Sequence, residues 1–202
     1  MDDIVLRGIA KWPDVPAVYG WLQLDRRGRW LIRGERITNP AVNDFIGRNY
    51  EHDAGGRWFF QNGPQRVFAA LDYTPFVYRI VGADGVSLTL EAHTGAAATA
   101  LSGAWIDDDG ATLIDTEHGV GLIHDQDLER LLPCFWATTG EQLIDDVLAR
   151  QMDLIAQGNH VDIALRFGGA TLKVAPIAAR DVPQRFGFVP HPAPPAGHEA
   201  CA

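Results

Sequence analysis

Residues 28–32 are Gly-Arg-Trp-Leu-Ile, and residues 110–114 are Gly-Ala-Thr-Leu-Ile. Each stretch follows a short polar turn that begins with an aspartate, Asp25 or Asp107. The glycine is expected to supply the positive φ that a tight hairpin needs. A segment with helical spacing of apolar residues follows in both halves. These matching stretches predict that the chain contains two diverged copies of one module.

The first copy extends from this hairpin in both directions. Residues 19–24 alternate as a strand before the turn. Asn39 and Pro40 predict the start of a helix, because asparagine caps free N–H groups and proline is tolerated at the first helical position. Three further strands are predicted after the helix, at residues 57–61, 65–71 and 76–81. The first module is predicted to span residues 1–98.

The second copy is expected after a small-residue linker at residues 95–103. Thr138 and Glu141 have the spacing of a capping box and predict the start of a long amphipathic helix. Alternating apolar residues predict two strands after this helix. The second module is predicted to span residues 99–189, and the Pro- and Ala-rich tail at 190–202 is predicted to be disordered.

The predicted fold class is α+β. Each of the two diverged repeats is expected to contain a β-hairpin, a helix and a small antiparallel meander packed on that helix. A module of this kind has a single apolar face, so two modules could bury their faces against each other.

Composition and charge exclude several classes of protein. The 202 residues have a formal net charge of −9, which disfavours a basic nucleic-acid-binding face and attraction to anionic membranes. Cys134 lies in an apolar run and Cys201 in a polar tail, so no disulfide between them is expected. The acidic N-terminus lacks the pattern of a signal peptide, and no apolar run is long enough for a transmembrane helix. A cytoplasmic location is predicted.

Motifs of established chemistry are missing from the sequence. It has no Walker A motif, no G-x-S-x-G elbow and no G-x-G-x-x-G motif that opens a helix after a strand. His118 and His124, beside Glu117 and Asp125, are residue types that bind zinc, but their spacing is wider than in common zinc sites. A polar loop is the preferred interpretation. We predict no metal and no cofactor.

The stretch from Trp58 to Arg66 has the most suggestive chemistry. Its amides could orient a small polar or anionic ligand, and its guanidinium could supply a charge-assisted pair of hydrogen bonds. Alternatively, the amides satisfy backbone groups of the turn. The predicted ligand-binding residues are Gln61, Asn62, Gln65, Arg66, Tyr73 and His93.

Several motifs of the first half belong together. They are a glycine-aromatic hairpin at 28–30, a helix from Pro40, a glycine-x-aromatic strand at 56–58, Asp72 near Pro75-Phe76, and the turn Thr94-Gly95. With them the chain resembles an uncharacterised bacterial family known only as a domain of unknown function. The resemblance implies a two-domain α+β fold with repeated motifs and a link to signalling or ligand sensing. It implies no catalytic residues. The turn at 61–66 departs from the Thr-Pro-x-Glu-like turn of that family.

Three functions stay open at this point. The favoured one is a non-catalytic module with a regulatory or signalling role that binds an unknown small molecule or protein, because no nucleophile and base are paired in the sequence. The second is an enzyme with a site between the modules, formed by Arg66, His93, Glu117 and His118. The third is a structural protein that dimerises through a sheet, so homo-oligomers also stay open.

Overall fold

β-Strands dominate the computed structural model, which describes residues 1–13, 15–84, 87–167 and 170–195. They form one six-stranded and one nine-stranded sheet, and both sheets are mixed. The predicted α+β class, with a meander packed on a helix in each repeat, is therefore wrong. The hairpins and meanders join into continuous sheets, because backbone groups at a free strand edge pair with any neighbouring strand.

The chain forms two compact units. The first contains residues 1–75, residues 93–95 and the described residues from 186 onward, and the second contains residues 76–92 and 96–185. These units and the modules predicted from the sequence are different divisions of the chain. The predicted modules, at residues 1–98 and 99–189, stay a prediction.

The six-stranded sheet belongs to the first unit. Its strands are β1 (Val18–Leu24), β2 (Trp30–Ile32), β3 (Glu35–Arg36), β4 (Tyr50–His52), β5 (Trp58–Asn62) and β6 (Gln65–Leu71). The order across the sheet is β3-β2-β1-β6-β5-β4. β1 and β6 are parallel, and every other neighbouring pair is antiparallel.

Two helices accompany this sheet, α1 (Asp3–Lys11) and α2 (Pro40–Arg48). The predicted start of α2 is confirmed, since Asn39 Oδ1 accepts hydrogen bonds from the backbone N–H groups of Ala41 at 2.9 Å and Val42 at 3.4 Å. α2 packs on β5 and buries Ile46. No helix among the described residues has the length and apolar character needed to cross a membrane.

The nine-stranded sheet belongs to the second unit. Its strands are β7 (Phe76–Asp84), β8 (Ser87–Ala92), β9 (Ala97–Ala98), β10 (Leu101–Asp107), β11 (Thr112–Thr116), β12 (Gly119–Ile123), β13 (Phe135–Ala137), β14 (Ile163–Phe167) and β15 (Ala170–Ile177). They lie in the order β13-β14-β15-β10-β11-β12-β7-β8-β9. The linker predicted at residues 95–103 is wrong, because it contains β9 and the start of β10.

The helices in the second half are α3 (Leu128–Leu131), α4 (Asp145–Ala156) and α5 (Val182–Phe186), with 3-10 turns at residues 125–127, 132–134 and 179–181. The capping box predicted at Thr138 and Glu141 is wrong. Ala137 N–H donates to the Glu141 carbonyl at 2.9 Å, and Gly140 has a φ of 95°. This turn reverses the chain, and α4 begins only after Ile144.

Six neighbouring strands of the second sheet have the order of the first sheet. The series β12-β11-β10-β15-β14-β13 corresponds, in chain order, to β3-β2-β1-β6-β5-β4. The parallel pair is at the same place in both, β10 with β15 and β1 with β6. The similarity is one of strand order and pairing, since the helices that pack on the two sheets, α2 and α4, occur in different connections.

One type of turn closes three hairpins in the two units. In each, an aspartate Oδ1 accepts hydrogen bonds from the backbone N–H groups two and four residues later, at 2.7 to 3.1 Å. A glycine three residues after the aspartate has a positive φ. The three pairs are Asp25 with Gly28 (72°), Asp53 with Gly56 (74°) and Asp107 with Gly110 (80°). The role predicted for Gly28 is confirmed.

Candidate functional site

A cavity of about 570 Å³ lies between α2 and the sheet of the first unit. This volume is within the range of small-molecule sites. Nine apolar residues and two amides form its wall, namely Val18, Trp21, Leu22, Ile32, Val42, Phe45, Ile46, Phe60, Asn62, Gln65 and Val67.

The sheet supplies the floor of the cavity. Strand alternation sends every second side chain to one face, and the pairs Phe60 with Val67 and Leu22 with Ile32 place these four on that face. The register of β1 shifts between Val18 and Leu22. This irregularity explains why Trp21 and Leu22, neighbours in sequence, both line the cavity.

Helix α2 supplies the roof. Val42, Phe45 and Ile46 have the spacing that places side chains on one helical face, and the Phe45 ring meets Phe60 edge-on with centroids 5.4 Å apart. Val42 is 40% exposed and Ile32, on the sheet, is 44% exposed. These two apolar side chains mark where the cavity opens to solvent.

Two amides form the polar part of the wall. Asn62 and Gln65 are cross-strand partners on either side of the β5–β6 turn. Gln65 Nε2 donates to the Pro16 carbonyl at 3.1 Å, so its Oε1 stays available as an acceptor. The Asn62 side chain makes no hydrogen bond to any residue that the structure describes. It can therefore donate and accept at once.

The four residues predicted from the β5–β6 turn lie on two different faces of the sheet. Asn62 and Gln65 face the cavity, whereas Gln61 and Arg66 form the next cross-strand pair and point to the opposite face, because alternate residues of a strand point in opposite directions. Gln61 Nε2 donates to the Gly63 carbonyl at 2.8 Å. The Arg66 guanidinium lies 4.7 Å from the centre of the Phe59 ring.

Tyr73 and His93 are not among the residues that line the cavity. The Arg26 guanidinium lies 4.3 Å from the centre of the Tyr73 ring. The His93 ring is 5.2 Å from Trp30 and 5.8 Å from Tyr50. Removal from water lowers the pKa of His93 to about 3, although Asp25 acts in the opposite direction. His93 is thus neutral at physiological pH and supplies no positive charge for an anion.

The four residues suggested for an enzyme belong to different units. Arg66 and His93 lie in the first, and Glu117 and His118 lie in the second. Glu117 accepts hydrogen bonds from Thr99 N–H at 2.7 Å and from the Thr99 hydroxyl at 2.8 Å. His118 Nε2 is 2.8 Å from the Ala97 carbonyl oxygen. Glu117 and His118 thus each make a structural contact within the second unit.

The second unit offers other polar groups. Arg79 Nε lies 2.5 Å from Asp127 Oδ2, which also accepts from Ile80 N–H at 3.1 Å. This pair fixes the 3-10 turn at residues 125–127 to β7. An open depression of about 470 Å³ is lined in part by Asp108 and His160. No three His, Cys, Asp or Glu side chains among the described residues are placed to hold a metal ion.

A family model described as "Protein of unknown function (DUF2946)" matches residues 1–193. The structure is similar to a DUF1285 family protein from Silicibacter pomeroyi DSS-3, with 18% identity, 84% of this chain and 87% of that chain covered, and a TM-score of 0.53. A DUF1285 family protein from Shewanella baltica OS155 matches at 13% identity over 54% of this chain and 87% of its own, with a TM-score of 0.43. None of the curated proteins compared with the chain matches it. The Silicibacter likeness shows a shared fold, and the predicted resemblance to an uncharacterised family is confirmed.

Proposed function

The chain belongs to the family described as "Protein of unknown function (DUF2946)", and we propose that it is a non-catalytic protein that binds a small, mainly apolar molecule in the cavity beneath α2. The wall of this cavity is the main support. It combines nine apolar side chains with two amides, and small-molecule sites typically combine an apolar wall with a few polar groups that fix orientation.

The composition of the wall also favours binding over catalysis. Proton transfer needs a titratable group within hydrogen-bonding reach of the substrate, and covalent catalysis needs a nucleophile. The described residues that line the cavity include neither. The amides Asn62 and Gln65 can orient a ligand, but they cannot exchange protons with it at neutral pH.

The energetics set a lower limit on ligand size. Burial of one methylene contributes about 0.8 kcal/mol, whereas a micromolar dissociation constant requires about 8 kcal/mol. Roughly ten buried carbon atoms would therefore be needed before the costs of association are counted. A regulatory or signalling role in the cytoplasm remains part of the proposal, with the ligand stabilising the first unit as its signal.

Fluorescence titration with Nile red, an uncharged apolar dye, tests the proposal. The dye should bind the full-length protein with an increase in emission. In Val42→Trp the larger side chain occupies the mouth of the cavity and should weaken binding at least tenfold. Val147→Trp is the matched control, because Val147 is 38% exposed, lies on helix α4, and lines neither this cavity nor the open depression of the second unit.

The outcomes separate cleanly. Equal binding by Val42→Trp and the unmodified protein would show that the dye binds elsewhere and would contradict the proposal. Thermal unfolding of both variants checks that they are folded. If Val42→Trp unfolds early, Leu22→Phe is the second variant, since it fills the cavity from the sheet.

A further inference from the structure

We infer that the ligand of this cavity is an uncharged amphiphile, a medium-length acyl chain that ends in an amide head group with a carbonyl and an N–H. The inference rests on the proposed binding function and specifies the chemistry of its ligand. Three features support it: the absence of charge in the described wall, the arrangement of the two amides, and the span of the cavity across the sheet.

Charge is the first feature. The described residues of the wall are apolar or amides. An ionised head group would lose part of its hydration, since Asn62 beside it is exposed, and would find no opposite charge in the described wall to compensate that loss. A neutral polar head group loses far less, because amides can replace its hydrogen bonds to water. The wall therefore selects against carboxylates, phosphates and ammonium groups.

The two amides define the head group more closely. Asn62 and Gln65 are cross-strand partners on the cavity face, and such partners have Cβ atoms roughly 5 Å apart. One of the two N–H groups of Gln65 Nε2 donates to the Pro16 carbonyl, and Gln65 Oε1 can accept from a donor. Asn62 Nδ2 can donate to an acceptor. An amide head group presents both a carbonyl to Asn62 and an N–H to Gln65.

The sheet order sets the length of the chain. Asn62 lies on β5 and Ile32 lies on β2, and these strands are three spacings apart in the order β2-β1-β6-β5. At about 4.8 Å for each spacing, they are roughly 14 Å apart across the sheet. Ile32 is level with Ala69, four residues along β6 from Gln65, which adds about 13 Å along the strands and gives a diagonal of roughly 19 Å. A chain that begins at the amides can thus extend over much of the way toward Ile32, beneath Val42 and Phe45. This length suits a medium acyl chain, and a compact metabolite would leave most of the apolar wall unused.

Arg33 supports a competing interpretation. Its guanidinium lies 3.8 Å from the centre of the Trp21 ring, and Trp21 lines the cavity. Arg33 also has a φ of 51°, a conformation that side chains other than glycine rarely adopt. A carboxylate head group could bind there at the opposite end. Arg33 is exposed, so a carboxylate beside it would stay in water and gain little from the ion pair. The amide interpretation is therefore favoured.

Displacement of bound Nile red by decanamide, decanol and decanoate distinguishes the two interpretations. At neutral pH decanamide should displace the dye at a concentration about tenfold lower than decanoate. Asn62→Ala should weaken decanamide binding about fivefold, the loss expected for one hydrogen bond. Decanoate should bind more tightly as the pH falls through its own pKa, because its protonated form is neutral.

Tighter binding of decanoate than of decanamide, abolished by Arg33→Ala, would overturn the inference in favour of an anionic ligand. Equal displacement by all three compounds would also overturn it, since the head group would then contribute nothing. Both results leave the proposed cavity function intact, because Nile red still binds. Failure of Nile red to bind the unmodified protein would instead contradict the proposed function itself.

Discussion

The six-stranded sheet and the matching six strands of the nine-stranded sheet have the same order and pairing, but helices from different connections cover them. In the first unit α2 follows β3 and packs on β5. In the second, α4 lies between β13 and β14 and packs on β10 and β15. The comparison teaches that strand order alone does not determine where a cavity forms. The connection that contains the covering helix does.

Equivalent residues make the difference concrete. Ile32 pairs with Leu22 in the first sheet, and Ile114 pairs with Ala104 in the second. Ile32 is 44% exposed at the mouth of the cavity, whereas Ile114 is 0% exposed. The same side chain at the same sheet position is thus part of a binding surface in one unit and part of a filled core in the other.

Charge distinguishes the two parts of the chain as well. Residues 1–75 contain ten Lys and Arg and nine Asp and Glu, whereas residues 76–202 contain seven and 17. The net negative charge therefore arises entirely after residue 75. The cavity lies in the nearly neutral part, which suits an uncharged ligand.

The largest expected effect comes from a turn glycine. Both units have a glycine at the same position of the same type of turn. Gly56 and Gly110 both have left-handed φ, at 74° and 80°. A Cβ at Gly56 would lie 2.1 Å from the Gly187 carbonyl oxygen, whereas a Cβ at Gly110 meets no atom within 4 Å. Gly56→Ala should lower the free energy of unfolding by about 4 kcal/mol, from backbone strain and overpacking together. Gly110→Ala should cost about 1 kcal/mol from strain alone.

Urea-induced unfolding measures both variants. Because Gly56 contacts the backbone at residue 187, its variant should also increase proteolytic cleavage after residue 185. If both variants lose a similar free energy of unfolding, the backbone at Gly187 moves away from the added Cβ at little cost. The two turns would then not differ in their tolerance of a side chain.

The isoleucine pair provides the next test. Ile114→Ala should lower the free energy of unfolding by about 3 kcal/mol, because it leaves a hole in a filled core. Ile32→Ala should cost less than about 1 kcal/mol, since an exposed side chain loses little burial, but it should weaken Nile red binding. A large stability loss in Ile32→Ala without any effect on the dye would show that the cavity is not open as described.

Local signals predicted much of the first unit. Asn39 and Pro40 located the start of α2, and Gly28 located a turn, because capping and positive φ depend on a few adjacent residues. Pairing between distant segments left no such signal. β1 and β6 are parallel neighbours, but more than 40 residues separate them, so the sequence indicated strands without indicating one continuous sheet. At Thr138 and Glu141 the capping pattern was present, and the intervening Gly140 formed a turn instead.

The candidate site, like the fold, was predicted only where adjacent residues give a local signal. The sequence identified Asn62 and Gln65 from their turn, but it grouped them with Gln61 and Arg66, which strand alternation directs to the other face. The remaining wall is formed by nine apolar residues of β1, β2, β5, β6 and α2, Trp21 and Val42 among them. These side chains have no motif, because an apolar residue in a cavity and one in a core have the same pattern. Only the three-dimensional packing distinguishes them.

A smaller effect is expected from the aspartates of the two turns. Asp107 is 0% exposed and Asp25 is 9% exposed, and each accepts two backbone N–H bonds. Asp107→Ala should cost about 2 kcal/mol because both donors lose their acceptor in a buried setting. Asp25→Ala should cost about 1 kcal/mol, since water can reach its turn. Thermal unfolding checks the ranking, and Asn at either position should restore part of the loss. A larger loss in Asp25→Ala than in Asp107→Ala would contradict the idea that burial of the turn sets the cost.

The last effect appears only in acid and concerns the order in which the two units lose stability. Removal from water lowers the pKa of His93 from 6.5 to about 3. For Glu117, burial favours the neutral form, but hydrogen bonds from Thr99 and Ala100 outweigh it and lower the pKa from 4.5 to about 2. Both groups bind protons more readily in the unfolded chain. Both therefore lower the free energy of unfolding as the pH is lowered. The loss begins near pH 6.5 for His93 and near pH 4.5 for Glu117.

Variants at these two positions separate the contributions. His93→Phe keeps an aromatic ring beside Trp30 and should flatten the dependence of the melting temperature on pH between 6.5 and 4.5. Glu117→Gln should leave that interval unchanged and reduce the loss below pH 4.5, because its amide does not ionise. Thr99→Val, which removes one hydroxyl donor to Glu117, should have part of the same effect. If His93→Phe has the pH profile of the unmodified protein, His93 is already hydrated, and acid sensitivity does not distinguish the first unit from the second.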